Sequence, residues 1–178
     1  MILALPIFYL SILTIFLLIL NWLIFQQLKT ILSLESQFKY FVDKSQNGKL
    51  ESDESFAFAK VCVAKKHFSK AIIEGQLALK KHRDFNTLDN NIIIANLYNM
   101  LGFIYFEAGQ ISFAKNFYEQ ALQINPNYVV ALNNLAKIYE EVKDLKKAES
   151  LYDKVLTLNL NNKTANRRKD SIAKTKNV

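Results

Sequence analysis

From Tyr118 to Asn127 the chain reads YEQALQINPN, and thirty-four residues later, from Tyr152 to Asn161, it reads YDKVLTLNLN. The tyrosine, the leucine and two asparagines return in register, as Tyr152, Leu156, Asn159 and Asn161. Extended outward, residues 95–128 (ANLYNMLGFIYFEAGQISFAKNFYEQALQINPNY) align with 129–162 (VVALNNLAKIYEEVKDLKKAESLYDKVLTLNLNN). At this shift Asn99, Leu101, Ile104, Tyr105, Glu107, Ala114 and Tyr118 all meet identical residues, and other apolar positions mostly meet apolar ones. Each unit reads as two helices parted by a short polar turn, AGQ at 108–110 and VKD at 142–144.

The spacing has a physical cause. Leu101, Ile104 and Tyr105 fall at i, i+3 and i+4, which puts one apolar stripe on the first helix, and Ala114, Phe117, Tyr118 and Ala121 do the same for the second. Gly102, Ala114, Ala136 and Ala148 are small where two helices must cross closely, whereas Tyr105 and Tyr118 are large where the next unit must be met. A helical hairpin of this kind cannot bury its apolar face alone, so it stacks on copies of itself. A degenerate third unit is expected at 52–85, with Cys62 and Gly75 where large rings would be expected and therefore looser packing. A spacer, NTLDNNIII, separates it from 95–128, with Asn90 and Asn91 expected to cap a first helix extended back to Ile92. Residues 163–178 are expected to form a basic capping helix and tail that covers the last apolar face.

The start of the chain obeys other rules. MILALPIFYLSILTIFLLILNWLIFQQL carries no charged side chain before Lys29, and Ile2 to Phe25 is long enough to cross about 30 Å of hydrocarbon at about 1.5 Å per residue. It has no basic leader and no small-x-small site after the apolar run, so it reads as an uncleaved anchor, not a removed signal peptide. Lys29, Lys39 and Lys44 follow the span and no basic residue precedes it, which keeps the C-terminal part on the cytoplasm-like side. The expected organisation is a transmembrane anchor at 1–28, a juxtamembrane helix ending in a linker at DKSQNGK within 29–51, a helical solenoid at 52–162, and the cap. The fold class is all-α.

Composition agrees and removes several function classes. Of 178 residues, 4 are Gly and 2 Pro, with 51% apolar, which favours helices over a sandwich or barrel. Scattered glycines cannot build a phosphate loop. Cys62 rules out an internal disulfide and reads as a buried small hydrophobe; His67 and His82 read as ordinary helix residues. No metal site, cofactor site or catalytic acid–base pair is expected, and the protein reads as a non-enzyme. The net charge of +7 is concentrated in the tail, where Lys163, Arg167, Arg168, Lys169, Lys174 and Lys176 stand against one acid, Asp170. No aromatic residue interleaves those charges, which argues against nucleic acid as a partner; a solvated end or contact with anionic lipid fits better.

The two units resemble the tetratricopeptide repeat, whose pattern is W-x2-L-G-x2-Y…A-x3-F…P over 34 residues. Residues 95–128 match with Leu101, Gly102, Tyr105, Ala114, Tyr118, Ala121 and Pro126, with Tyr98 in the tryptophan slot; 129–162 match with Leu135, Ala136, Tyr139, Ala148 and Tyr152 but lack the proline. In this family a ligand usually lies along the concave face made by the first helices. The resemblance therefore nominates Asn96, Asn99, Phe103 and Phe106 in one unit, Val130, Asn133, Lys137 and Glu140 in the next, and Phe56, Lys60 and Val63 in the first. Asn99 and Asn133 would hold a peptide amide, and Lys60 and Lys137 an acidic group or a C-terminal carboxylate; an Asn-rich composition and solvated lysines account for the same residues without a ligand. The Lys, Asn and Arg set with which chaperone-binding members hold a peptide C-terminus is not reproduced.

One span, a short linker and about three such repeats are also similar to the membrane-anchored photosystem I assembly factors of algal plastids and cyanobacteria. That resemblance implies a thylakoid scaffold with its repeats in the stroma and photosystem I subunits or assembly intermediates as partners. The alternative is a repeat-built receptor for targeting peptides in a protein import or secretion system; a more distant one is a lipid- or RNA-binding membrane protein acting through the tail.

Overall fold

Between Ile7 and Asn47 the sequence has neither proline nor glycine, and one helix, α1 (Ala4–Gln46, 43 residues), runs through it. The computed structural model describes residues 4–48, 50–82 and 88–176. Side chains from Phe8 to Phe25 are all exposed on α1, and the helix is long and apolar enough to cross a membrane. Its few polar groups turn back on their own backbone: Ser11 Oγ donates to the Phe8 carbonyl at 2.7 Å, and Asn21 Nδ2 to the Leu17 carbonyl at 3.1 Å. The expected linker begins later than its composition suggests. Asp43 to Gln46 stay helical because nothing there breaks the ladder, and the chain turns only at Gly48, where φ is 65°. α1 and its turn to Leu50 form one unit, and the chain from Glu51 onward forms another.

The second unit contains α2 (Ser52–Ala64), α3 (Phe68–His82), α4 (Leu88–Glu107), α5 (Ile111–Ile124), α6 (Val129–Glu141), α7 (Leu145–Leu158) and α8 (Lys163–Lys176). α2 pairs with α3, α4 with α5 and α6 with α7, while α3 meets α4, α5 meets α6 and α7 meets α8. This is a solenoid of three hairpins closed by a final helix. The first helix of the middle hairpin begins at Leu88, ahead of the expected Ile92, so Asn90 and Asn91 lie inside it and do not cap it.

All three hairpins turn through the same device. The residue at position 15 of each repeat adopts a left-handed backbone: Lys66 (φ 60°), Gly109 (φ 73°) and Lys143 (φ 62°). In each, the next amide reaches back five residues: His67 N–H to the Cys62 carbonyl (2.8 Å), Gln110 to Tyr105 (2.9 Å) and Asp144 to Tyr139 (2.9 Å). These bonds satisfy helix-end carbonyls that would otherwise lack partners. Between repeats, the asparagines seen in the opening phrase do parallel work. Asn125 Oδ1 accepts from Asn127 N–H and Asn159 Oδ1 from Asn161 N–H, each at 3.2 Å, so a side chain imitates a backbone turn.

Packing follows the small–large alternation. Tyr118 is 1% exposed and lies with Ala114 of its own hairpin and Leu135 and Ile138 of the next. One repeat later, Tyr152 packs with Leu132, Ala136, Ala148 and Val155, and α8 adds Ala165 and Ile172. α8 is tied further by Asn162 Oδ1, which caps it by accepting from Ala165 N–H at 3.0 Å, and by a Lys169–Asp153 ion pair. In the degenerate first repeat, Cys62 is fully buried and Gly75 leaves a space into which Met100 and Leu101 of α4 reach. The missing rings are thus replaced by side chains from the next repeat.

Candidate functional site

The first helices of the hairpins, α2, α4 and α6, are neighbours along the stack. Positions 5, 9 and 12 of a repeat come at i, i+4 and i+7 on such a helix and so share one face. On α4 this places Asn99, Phe103 and Phe106 together, and on α6 Asn133, Lys137 and Glu140. Phe103 remains 38% exposed and Val130 49% exposed, Asn96 and Phe106 are half-buried, and Lys60 is exposed.

Both nominated lysines rest on aromatic rings. Lys137 Nζ lies 4.2 Å from the centroid of Phe106 across the α4–α6 boundary, and Lys60 Nζ lies 4.7 Å from that of Phe56 within α2. Each ring holds the ammonium by its negative face while the cation keeps donors for a further partner. The arrangement can therefore present cations beside apolar surface, which suits an extended segment carrying acidic and apolar side chains.

The asparagines behave unequally. Asn99 does not pair with its repeat-mate. Its Oδ1 accepts from Asn134 Nδ2 at 2.9 Å, which joins α4 to α6. Asn133 keeps its Oδ1 buried and without a hydrogen-bond partner among the described residues. Glu140 faces inward: its Oε1 accepts from the Tyr152 hydroxyl at 2.5 Å, and its Oε2 lies 3.4 Å from Arg168 of α8. Burial and the bond to Glu140 together raise the Tyr152 phenol well above its ordinary range. Asn134 and Arg168 are the residues that the repeat pattern did not nominate. Asn134 follows Asn133 directly and could have been found from its amide alone; Arg168 sits outside the repeats and carries no signal in their period.

Burial pushes the Cys62 thiol up to about 11, and the buried His82 faces Asp53 at 3.4 Å, linking the end of α3 to the start of α2. Among the described residues no three His, Cys, Asp or Glu side chains gather as a metal site would require.

Residues 94–161 match the tetratricopeptide-repeat family profile. The chain is 93% identical to a ycf37 protein of Pyropia yezoensis over the full length of both. It belongs to the ycf37 family of tetratricopeptide-repeat proteins. A ycf37 protein of Porphyra purpurea is 62% identical over 77% of this chain and 79% of its own length, and one of Guillardia theta is 32% identical over 74% and 71%. Among solved structures, MamA is similar with a TM-score of 0.66 at 14% identity, covering 84% of this chain and 82% of MamA. The first repeat domain of Spaghetti (RPAP3), solved with an HSP90 peptide, gives 0.62 at 16% identity, covering 71% of this chain and 94% of that one. At those identities the likeness concerns the fold. Tetratricopeptide repeats are protein-interaction scaffolds, and the described residues of this ycf37 member form three stacked helical hairpins, the last two of which the profile covers.

Proposed function

We propose that this protein is a single-pass thylakoid membrane protein whose repeats face the stroma and hold photosystem I subunits or assembly intermediates while the complex is built or stabilised. We assign the anchor to residues 1–28, the connecting helix and turn to 29–51, the client-holding solenoid to 52–162 and the basic cap to 163–178. The observation that carries the reading is the joining of a charge-free apolar stretch, exposed from Phe8 to Phe25, to a scaffold of stacked hairpins. The likeness of this architecture to photosystem I assembly factors supports the choice of client. Lys29, Lys39 and Lys44 just after the span support the stromal orientation. A tether confines the binding face to the layer where clients arrive, so a modest affinity gains effective concentration.

The face of α2, α4 and α6 is the binding surface in this reading. Lys60 and Lys137 on their phenylalanine platforms take acidic groups, Phe103 takes an apolar side chain, and the free amide hydrogens of Asn99 meet a client carbonyl. Asn96 and Asn133 line the same path, and Glu140 shapes its end through Tyr152 and Arg168.

The test is recovery of the tagged full-length chain from detergent-solubilised thylakoids, followed by identification of what accompanies it. Photosystem I proteins are expected, and Lys137→Glu with Phe106→Ala should reduce them several-fold without lowering the amount of scaffold. Recovery of translocase subunits in their place would transfer the protein to targeting-peptide recognition.

A further inference from the structure

Three polar side chains interrupt the exposed apolar stretch of α1: Ser11, Thr14 and Asn21. Thr14 and Asn21 are seven residues apart, two turns of a helix wound at 3.5 residues per turn, so they occupy the same position of successive heptads. Leu28 continues that row, and Leu10, Leu17 and Ile24 form the companion row three residues ahead, giving a complete a/d seam along a helix with no break. Ser11 flanks the seam at the adjoining e position.

In the structure each polar group has turned inward on its own helix. Thr14 Oγ1 donates to the Ser11 carbonyl at 2.8 Å and Asn21 Nδ2 to the Leu17 carbonyl at 3.1 Å. A hydroxyl is largely satisfied that way, but a carboxamide has two donors and a two-lone-pair acceptor, so one bond leaves most of its capacity unused. Counting from the middle of the span, Asn21 lies about 10 Å from the bilayer centre, inside a hydrocarbon half-thickness of about 15 Å where water supplies no partner.

We propose that the anchor pairs with the anchor of a second copy of this chain, in parallel, along the seam of Thr14 and Asn21. The inference rests on the membrane-spanning reading above. The polar position on the seam is electrostatically complementary to itself. The carboxamide dipole presents a donor and an acceptor, so two Asn21 side chains facing each other across a two-fold axis satisfy one another. Both copies insert with the same orientation, which places Asn21 opposite Asn21 and Thr14 opposite Thr14. A single polar residue at an a position is a known selector of register and partner number in coiled coils. No charged residue lies on the seam between Leu10 and Leu28 to repel a like copy. The consequence is a pair of solenoids presented side by side from one anchor.

The experiment uses the full-length protein, tagged at its C-terminus with a donor or acceptor fluorophore and reconstituted in phosphatidylglycerol/phosphatidylcholine vesicles. Energy transfer is followed as lipid dilutes the protein, and alkaline carbonate washing reports insertion in the same samples. Wild type is expected to resist the wash and to associate. Asn21→Leu should weaken association about three- to thirty-fold, the range for interhelical hydrogen bonds in membranes. A second variant, Asn21→Leu with Leu23→Asn, keeps the composition but moves the amide off the seam, and it should be as weak as the first. Wild type that resists the wash yet shows no transfer, or an Asn21→Leu variant that associates as wild type does, overturns the pairing and leaves the anchor intact. Association retained by the moved amide, or found only with a different membrane protein, also overturns it. Release by carbonate removes the spanning reading and the pairing with it.

Discussion

Gly102 and Gly75 both sit inside helices of the stack, yet the same substitution to alanine should be costly at the first and tolerated at the second. A Cβ built at Gly102 would lie 2.7 Å from both Cδ1 and Cε1 of Tyr118 and 3.1 Å from its Cζ, where ordinary carbon contacts are about 3.5–4.0 Å. That ring is 1% exposed and is held by Ala114, Leu135 and Ile138, so its retreat must displace α6 of the next repeat. Overpacking of this kind costs about 1–3 kcal/mol, against about 0.5–1 kcal/mol gained by replacing a mid-helix glycine. Gly102→Ala should therefore lose about 1 kcal/mol, the mid-range cost of about 2 kcal/mol less the mid-range gain of about 0.75 kcal/mol. At Gly75 the nearest atom is the terminal methyl of Met100 at 3.1 Å, followed by Leu101 Cδ2 at 3.4 Å. A methionine end can swing aside, so Gly75→Ala should be neutral or gain up to about 0.5 kcal/mol. The third repeat contains its own control: Ala136 occupies the slot equivalent to Gly102 and packs with Tyr152, so the hairpin tolerates a methyl once the ring has been placed for it. Urea unfolding of the full-length chain in mild detergent, followed by far-ultraviolet circular dichroism, measures both variants. A Gly102→Ala protein as stable as its parent, or a Gly75→Ala protein that loses as much, would refute the account of this crossing.

Other expectations follow from the same geometry. Lys66 and Lys143 hold the left-handed backbone that Gly109 holds in the middle repeat; Lys143→Gly should raise the urea midpoint by an amount worth about 0.5–1 kcal/mol, and Gly109→Ala should lower it by about 1 kcal/mol. Tyr152→Phe removes the 2.5 Å bond to Glu140 and should cost about 1–2 kcal/mol in the same assay, with α8 becoming more susceptible to protease as its Arg168 anchor loosens. Burial raises the Cys62 thiol from 9.0 to about 11, so the folded state holds its proton more tightly than the unfolded one. Its contribution is intact below pH 9 and disappears as pH climbs through the folded value. Between pH 9 and 11 the stability difference between wild type and Cys62→Ala should shrink by up to about 1.4 kcal/mol per pH unit, and a gap that stays constant would count against burial as the cause.

Helices, their pairing in units of thirty-four, and the apolar start were open to reading from the amino acids because each is a matter of local periodicity. An i, i+3, i+4 stripe names the buried face whatever lies opposite, and a charge-free run through Phe25 names itself. The turn asparagines were visible too, although their purpose was not: Asn125 and Asn159 recur because each closes a turn on its own backbone, which composition alone cannot distinguish from chance. The packed chain decided the remainder. Asn99 could have faced Asn133 by period, but the crossing of α4 and α6 delivers Asn134 to it. Glu140 is drawn to Tyr152 and Arg168 because α7 and α8 close over it. Lysines take a left-handed backbone at 66 and 143 because closing the hairpin requires that angle, against their own preference. Pattern along a chain specifies which face each helix must hide; which atoms meet there depends on how neighbouring helices cross, a property of the assembled stack.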